Sequence, residues 1–429
     1  MSKCLDLLPR STALAFFAVA APLLAQVDQE RAAQYFKEAA ALCQREGGRL
    51  WGVSLCGPMI FADPATGTSA TNQPPPSVAR PAIVGYANAA IDWGGTRWTT
   101  IVWQMVPSAP PARGRLMLHE LFHRVQPQLG FLVPDGQNDH LDTLEGRYWI
   151  QLEWRALAAA LGATGTTREA AVRDALAFRN ARWERFPGAR ENERLLEMNE
   201  GLAEYTATVA AFASTAEALA DARDQLAQVT ANATFVRTFP YATGAAYGLL
   251  LEAWSAGWTH RIKAADSLSA LLVSASGLRA SQDREGAEKR FGGAELKTAE
   301  EKRDLEQKAR VADLRRHFVE GPVLRVPNTR NSSFTTNGMT PIPGEGTIYP
   351  SFRTQGEWGS LEAARVLMSA DRNTLILPAP QDVMNTMLKG DGWTLKVAPG
   401  WQVRPSPRPG DYEIVRLSRD LHIGMPPPK

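Results

Sequence analysis

The chain has 429 residues, of which 44% are hydrophobic and 21% charged, with a net charge of +2 at pH 7. That length supports a large core and more than one domain, and the composition is that of a globular protein rather than a disordered one. The balanced charge, with no Lys/Arg run, gives no basis for a nucleic-acid partner.

Residues 1–25 read as a secretory signal peptide. Lys3 and Arg10 precede an apolar stretch from Thr12 to Ala21, and Ala18-Val19-Ala20 fits a signal-peptidase site, as does a cut after Ala25. The competing reading is an N-terminal membrane anchor, which the short apolar run and Pro22 disfavour. No cysteine stands at the cleavage point, and no later stretch is long and apolar enough to span a bilayer. The mature chain is therefore expected to be exported, to periplasm or medium, without a membrane span. Cys4 leaves with the leader, and Cys43 and Cys56 remain. An even pair in an oxidising compartment predicts a disulfide, with two buried thiols as the alternative. A cysteine-rich metal site is excluded.

The rest of the chain reads as α+β. Residues 27–46 are helical and end at a Gly pair suited to a C-cap. The β-rich part of 27–106 follows: VSLCGPMIF, a Pro/Asn/Thr-rich loop, then IVGYANAAIDW and RWTTIVWQMV around Gly94-Gly95, a hairpin signature. Residues 112–275 carry dense Ala and Leu at i, i+3, i+4 spacing and are expected to be mostly helical. Residues 281–319 form a charged helical connector with many opposite-charge pairs. Residues 320–429 hold short β-like runs such as GTIYPSFRTQGEW, TLILPAP and YEIVRL, expected to form a small β-rich C-terminal domain.

Within the helical part lies RLMLHELFHRV, residues 115–125. Leu118, Leu121, Phe122 and Val125 form one apolar stripe at i, i+3, i+4, i+7. His119 and His123 are one turn apart on another face, with Glu120 beside them. Two stacked imidazoles away from the core stripe are what tetrahedral zinc requires of one helix, and Glu120 is placed to act as a base. A lone histidine would read as a packed core residue; this pair does not.

A catalytic zinc takes three protein ligands. No H-x-x-G-x-x-H extension follows His123, so a third histidine of the metzincin kind is not expected. The segment LLEMNEGLAEYTA, 195–207, offers Glu200 and Glu204 one turn apart. Gly201 between them costs a helix about 1 kcal/mol relative to Ala, and close approach of another backbone would account for it. The bland reading competes evenly: Glu193, Glu197, Glu200 and Glu204 share one helical face, and acidic stripes are usually solvated.

HELFH followed by NEGLAEY resembles the gluzincin metallopeptidases. N-E-G-x-A is similar to the M1 aminopeptidases, and E-G-x-A-E-[YF] to bacterial collagenase-type enzymes. The resemblance covers about 100–255 and implies a zincin-like metallopeptidase domain over 26–280. It implies His119, His123 and Glu200 as ligands of Zn2+, Glu120 as general base, and Glu204 as the carboxylate that holds a zinc-bound histidine. The 77-residue gap from His123 to Glu200 (200 − 123) is long for the family and leaves room for an inserted helical hairpin at roughly 140–190. FPYATGAAYGLLLE resembles the Y-x-K-G segment whose Tyr stabilises the tetrahedral intermediate, with Thr243 where the Lys would be. That makes Tyr241 the candidate, with Tyr247 and His140 in reserve, against the bland reading of a core tyrosine. RWTTIVWQMV would be the edge strand that pairs with extended substrate, or an interior strand. The G-x-M-E-N segment that holds a substrate's free amino terminus is absent.

These readings lead to an expectation of an exported zinc-dependent peptidase acting on a peptide or protein substrate. The alternative is a non-enzymatic envelope protein with a structural or degenerate metal site and a partner-binding C-terminal domain.

Overall fold

A computed structural model describes residues 26–329, 332–334 and 338–417. The expected signal peptide lies outside the described residues. The fold is α+β, in two compact units that divide between Phe291 and Gly292. Among the described residues no helix is long and apolar enough to cross a membrane.

The first unit opens with α1 (Gln29–Glu46), started by the Asp28 side chain on the Arg31 N–H and stopped by Gly47 at φ 62°. Its buried face packs on a small sheet of β1 (Met59–Ala62), β2 (Ser69–Thr71), β3 (Ala89–Trp93) and β4 (Thr96–Val102). Phe36 stacks on Phe61 at 4.6 Å, and Tyr35 meets Trp103 at 5.7 Å. Strand order is β2-β1-β4-β3, with β1 and β4 parallel and the other pairs antiparallel. The expected β3–β4 hairpin is present, turned by Gly94 and Gly95, both at positive φ. RWTTIVWQMV supplies β4, which is interior; the edge is β3. Cys43 and Cys56 are joined in a disulfide that ties the end of α1 to the segment leading into β1.

The helices follow: α2 (Pro110–Val125), α3 (Leu144–Leu161), α4 (Gly165–Arg185), α5 (Ala189–Leu196), a π-helical turn (Glu197–Gly201), α6 (Leu202–Ala211), α7 (Thr215–Gln228), α8 (Phe239–Trp254), α9 (Leu268–Ser276) and α10 (Arg284–Arg290). Helix α2 packs between the β3–β4 hairpin and α6. α3 and α4 pack together as the hairpin that the long gap called for. Helix α8 crosses the π-turn and α6 so closely that a Cβ on Gly244 would clash with the Gly201 Cα, and one on Gly248 with the Tyr205 ring. The mid-helix glycine thus has the close backbone neighbour expected of it.

The second unit begins with α11 (Gly293–Arg315), so the charged stretch 281–319 contributes one helix on each side of the division. Its strands are β5 (Val323–Pro327), β6 (Ser332–Ser333), β7 (Thr340–Ile342), β8 (Gly346–Gly356), β9 (Gly359–Ser369), β10 (Thr374–Pro378), β11 (Met387–Gly390), β12 (Trp393–Val397), β13 (Trp401–Pro405) and β14 (Tyr412–Arg416). They form one sheet, largely antiparallel, with the long β8–β9 hairpin attached to the path β11-β12-β9-β10-β5-β14-β13. Its core gathers Phe352, Trp358, Leu361, Leu375, Trp393 and Leu395.

Candidate metal centre

Helix α2 begins with two prolines, whose fixed φ suits a first turn that needs no N–H donors. Its stripe of Leu118, Leu121, Phe122 and Val125 is buried. His119 is buried as well, on the side that faces α6, and Glu120 is buried beside it, toward Asn88. The histidines therefore stand off the apolar stripe but not in solvent.

The four glutamates expected on one face do not share it. The Leu202 N–H reaches five residues back to the Glu197 carbonyl, so the helix carries one extra residue in that turn. One extra residue rotates everything beyond it by about 100°. Glu193 and Glu197 turn into a buried cluster, where Arg182 grips Glu193 at 2.7 Å through both Nε and Nη2, and both Glu197 oxygens are held by Arg179. Glu153 of α3 takes Arg179 at 2.6 Å and Arg182 at 2.8 Å. Glu200 and Glu204 turn the other way, to His119. None of the four is a solvated surface acid: Glu193, Glu197 and Glu204 are buried and Glu200 is half-buried.

Three electron-rich atoms converge. His119 Nε2 and His123 Nε2 are 3.1 Å apart, and Glu200 Oε2 lies 3.2 Å from the first and 3.3 Å from the second. For bonds of about 2.0 Å to zinc, the edge of a regular tetrahedron is about 3.3 Å, so this triangle has the dimensions of one tetrahedral face. Among the described residues this is the one group of three His, Cys, Asp or Glu side chains with ligand atoms so placed. The other ring nitrogens have acceptors. His119 Nδ1 meets Glu204 Oε2 at 3.1 Å, and His123 Nδ1 meets Gln126 Oε1 at 2.7 Å. A carboxylate only accepts, so His119 Nδ1 carries a proton, and in the neutral imidazole it is the only one. Gln126 is oriented by its amide nitrogen, which donates to the Met198 and Asn199 carbonyls. Both Nε2 lone pairs then point at one place, the arrangement a metal-ligating histidine pair requires. Arg115 backs Glu204 at 2.9 Å.

The electrostatics follow from this crowding. Burial would lower the His119 imidazole, but its hydrogen bonds to Glu200 and Glu204 overcome that and push it up to about 10. Burial would raise Glu200 and Glu204; their histidine partners, with Arg115 for Glu204, hold both below the ordinary carboxylate range. The donor set fits a divalent cation, since two neutral imidazoles and an anionic oxygen surround a point that otherwise attracts a proton.

Glu120 is held apart from the triangle. Burial raises its carboxyl, against the pull of His119 and His123 and a hydrogen bond from Asn88. The Asn88 Oδ1 accepts the Val102 N–H at 2.9 Å, which leaves its amide nitrogen to donate to Glu120. Tyr241, in the first turn of α8, stacks on His119 at 5.3 Å, and its hydroxyl donates to Glu200 Oε2 at 3.0 Å. The reserve candidates lie elsewhere. Tyr247 is fully buried and donates to Glu153, and His140 pairs with Glu193 at 2.8 Å. Sequence reasoning missed Asn88, Gln126 and Arg115. Gln126, three residues after His123 on the same helical face, is the one whose spacing could have marked it.

No family model matches the chain, and neither the curated proteins nor the solved structures contain a match to it.

Proposed function

We propose that the protein is an exported zinc-dependent hydrolase of peptide bonds. The observation that carries this reading is the triangle of His119, His123 and Glu200 with Glu120 buried at its side. Three protein ligands, not four, match a catalytic rather than a structural zinc. Zinc bound there supplies a Lewis acid that polarises a carbonyl and makes water acidic near neutral pH.

The chain's own residues carry the remaining chemistry. Glu120 accepts a proton on its carboxylate and later returns it to the leaving amine, a role that its raised pKa favours. Asn88 keeps that carboxylate oriented. Glu204 and Gln126 hold the imidazoles with Nε2 forward. The Tyr241 hydroxyl, partly exposed and beside Glu200, is a donor within reach of charge that develops on a substrate oxygen. The unpaired side of β3 offers backbone groups to an extended peptide. Export is supported by the Cys43–Cys56 disulfide, which belongs to an oxidising compartment.

The test is metal content followed by cleavage. Protein purified without chelator should carry about one zinc per chain, the stoichiometry of a single three-ligand site, and cleave denatured casein in a chelator-sensitive way. Glu120→Gln should keep the metal and lose the cleavage. A zinc-loaded E120Q that cleaves as the wild type does removes Glu120 from the mechanism, and protein that binds no zinc removes the hydrolase reading altogether.

A further inference from the structure

The first unit holds a concave site that shares no residue with the metal centre. It is a cavity of about 540 Å³ formed where the end of α1, the far half of α6, the start of α7 and the end of α8 meet. Its walls are mixed: Leu50, Val209, Phe212, Leu219, Leu249 and Leu250 form the apolar part, and charged and hydroxyl side chains form the rest. That volume lies within the range of pockets that enclose a small organic molecule.

The charges around it are unequal. Arg45, Arg49 and Arg168 all line the cavity, and among the described residues none of the three is ion-paired with a carboxylate. Arg45 uses one nitrogen on the closing carbonyls of α6, at 2.7 Å from the Ala210 oxygen, and Arg168 uses Nε on the Ala163 carbonyl. Neither contact neutralises a charge. Of the two acids in the lining, Glu46 is buried and committed to the Gly48 and Leu50 N–H groups, at 2.9 and 2.7 Å. Glu252 is exposed and takes only a long bond from the Gly257 N–H. Three cations with low-dielectric walls behind them focus a positive potential into the cleft.

One polar group stands at the floor. Tyr205 is 1% exposed, and its ring packs on Trp258 at 5.0 Å. Its hydroxyl proton has no acceptor among the described residues, and Arg49 and Glu252 are the charged groups that act on it. Tyr205 lines the cavity, so a ligand oxygen at its floor can accept that proton. A chamber with an apolar side, arginines around it and a hydroxyl at its floor is complementary to a molecule that carries an anionic oxygen on a hydrocarbon body.

We propose that this cavity is a binding site for a small amphipathic carboxylate, with Arg49 and Arg168 on the anionic group and Val209, Leu249 and Leu250 around the hydrocarbon. Arg45 adds to the field while it caps α6. The site stands whether or not the metal centre is catalytic.

The test uses decanoate as probe, read by displacement of the fluorescent anion 1-anilinonaphthalene-8-sulfonate from the full-length protein. Decanoate should displace it saturably, at concentrations at least about tenfold below those needed for decanol or decyltrimethylammonium, since a charge-assisted contact is worth at least that factor. Added salt should weaken decanoate and not decanol. R49A/R168A, which alters two side chains outside the core, should lose at least about tenfold in decanoate affinity with an unchanged thermal midpoint. V209W, which fills the chamber and leaves the charges, should also abolish displacement. Equal potency of decanol and decanoate, unchanged affinity in R49A/R168A, or displacement that survives V209W would each overturn the proposal.

Discussion

Gly201 and Gly244 touch backbone to backbone: a Cβ built on Gly201 would stand 3.1 Å from the Gly244 Cα, and one on Gly244 would overlap Gly201 outright. Gly201 follows Glu200, and Gly244 lies three residues after Tyr241. The two glycines therefore fix how closely the Glu200 carboxylate and the tyrosine that hydrogen-bonds to it can approach. Gly244→Ala should destabilise the fold by about 1–3 kcal/mol through overpacking and lower zinc affinity as well, because it pushes α8 from the π-turn. Gly201→Ala, with the looser fit, should cost less. Urea unfolding with metal titration on both variants checks this, and a G244A protein of wild-type stability and zinc affinity contradicts it.

The π-turn separates two kinds of glutamate. Glu197→Ala leaves Arg179 with Glu153 alone in a fully buried cluster and should cost about 3–5 kcal/mol, the usual result of breaking one side of a buried pair. Zinc stoichiometry in the folded fraction should hold. Glu200→Ala removes the anionic corner of the triangle, so zinc affinity should fall, while the metal-free fold loses only the part of the His119 stabilisation that Glu204 does not supply. Metal content by mass spectrometry and thermal melts on the two variants give the comparison. The opposite pattern would move the third ligand from Glu200 to Glu197.

How much of this the sequence made legible depends on range. The apolar stripe of α2, the one-turn spacing of His119 and His123, and the cost of Gly201 are local consequences of 3.6-residue periodicity, and each is where that periodicity puts it. The π-turn leaves no such mark. It changes a hydrogen-bond register by one residue without changing composition, so four glutamates that read as a single stripe split into a buried ion cluster and a pair that meets His119. Arg179 and Arg182 arrive from α4, and Asn88 from the approach to β3. Those contacts depend on tertiary packing, which residue spacing does not encode. The interior place of β4 was open for the same reason, since only the parallel pairing with β1 decides it.

The raised His119 imidazole has a consequence for metal binding. In the metal-free chain its pKa of about 10 means that a proton is held there at neutral pH. Metal must displace that proton, so lower pH weakens binding and higher pH strengthens it, by about tenfold per unit up to pH 10. The same shift stabilises the metal-free fold fully below the unfolded value of about 6.5, and that contribution is lost as pH rises through about 10. Calorimetry of zinc binding at pH 7 in buffers of different ionisation enthalpy should report about one proton released per metal from this group. Buffer-independent heats would mean that His119 is already neutral.

Asn88 sets the last expectation, because it touches Glu120 and none of His119, His123 and Glu200. Its Oδ1 is fixed by the Val102 N–H, so its amide nitrogen favours the ionised form of Glu120, opposing the burial that raises it. Asn88→Ala removes a hydrogen bond to a charged group, worth about 1.5–3 kcal/mol, which corresponds to about 1–2 pH units. The change favours the protonated carboxyl, so the Glu120 pKa rises and the acid limb of kcat/KM moves to higher pH. Zinc content should not change, since Asn88 touches neither imidazole nor Glu200. A pH–rate profile of zinc-loaded N88A against wild type separates this from a general loss of structure. General loss would lower the whole profile without displacing its acid limb, and that outcome would leave Glu120 with no orienting partner in the β3 approach.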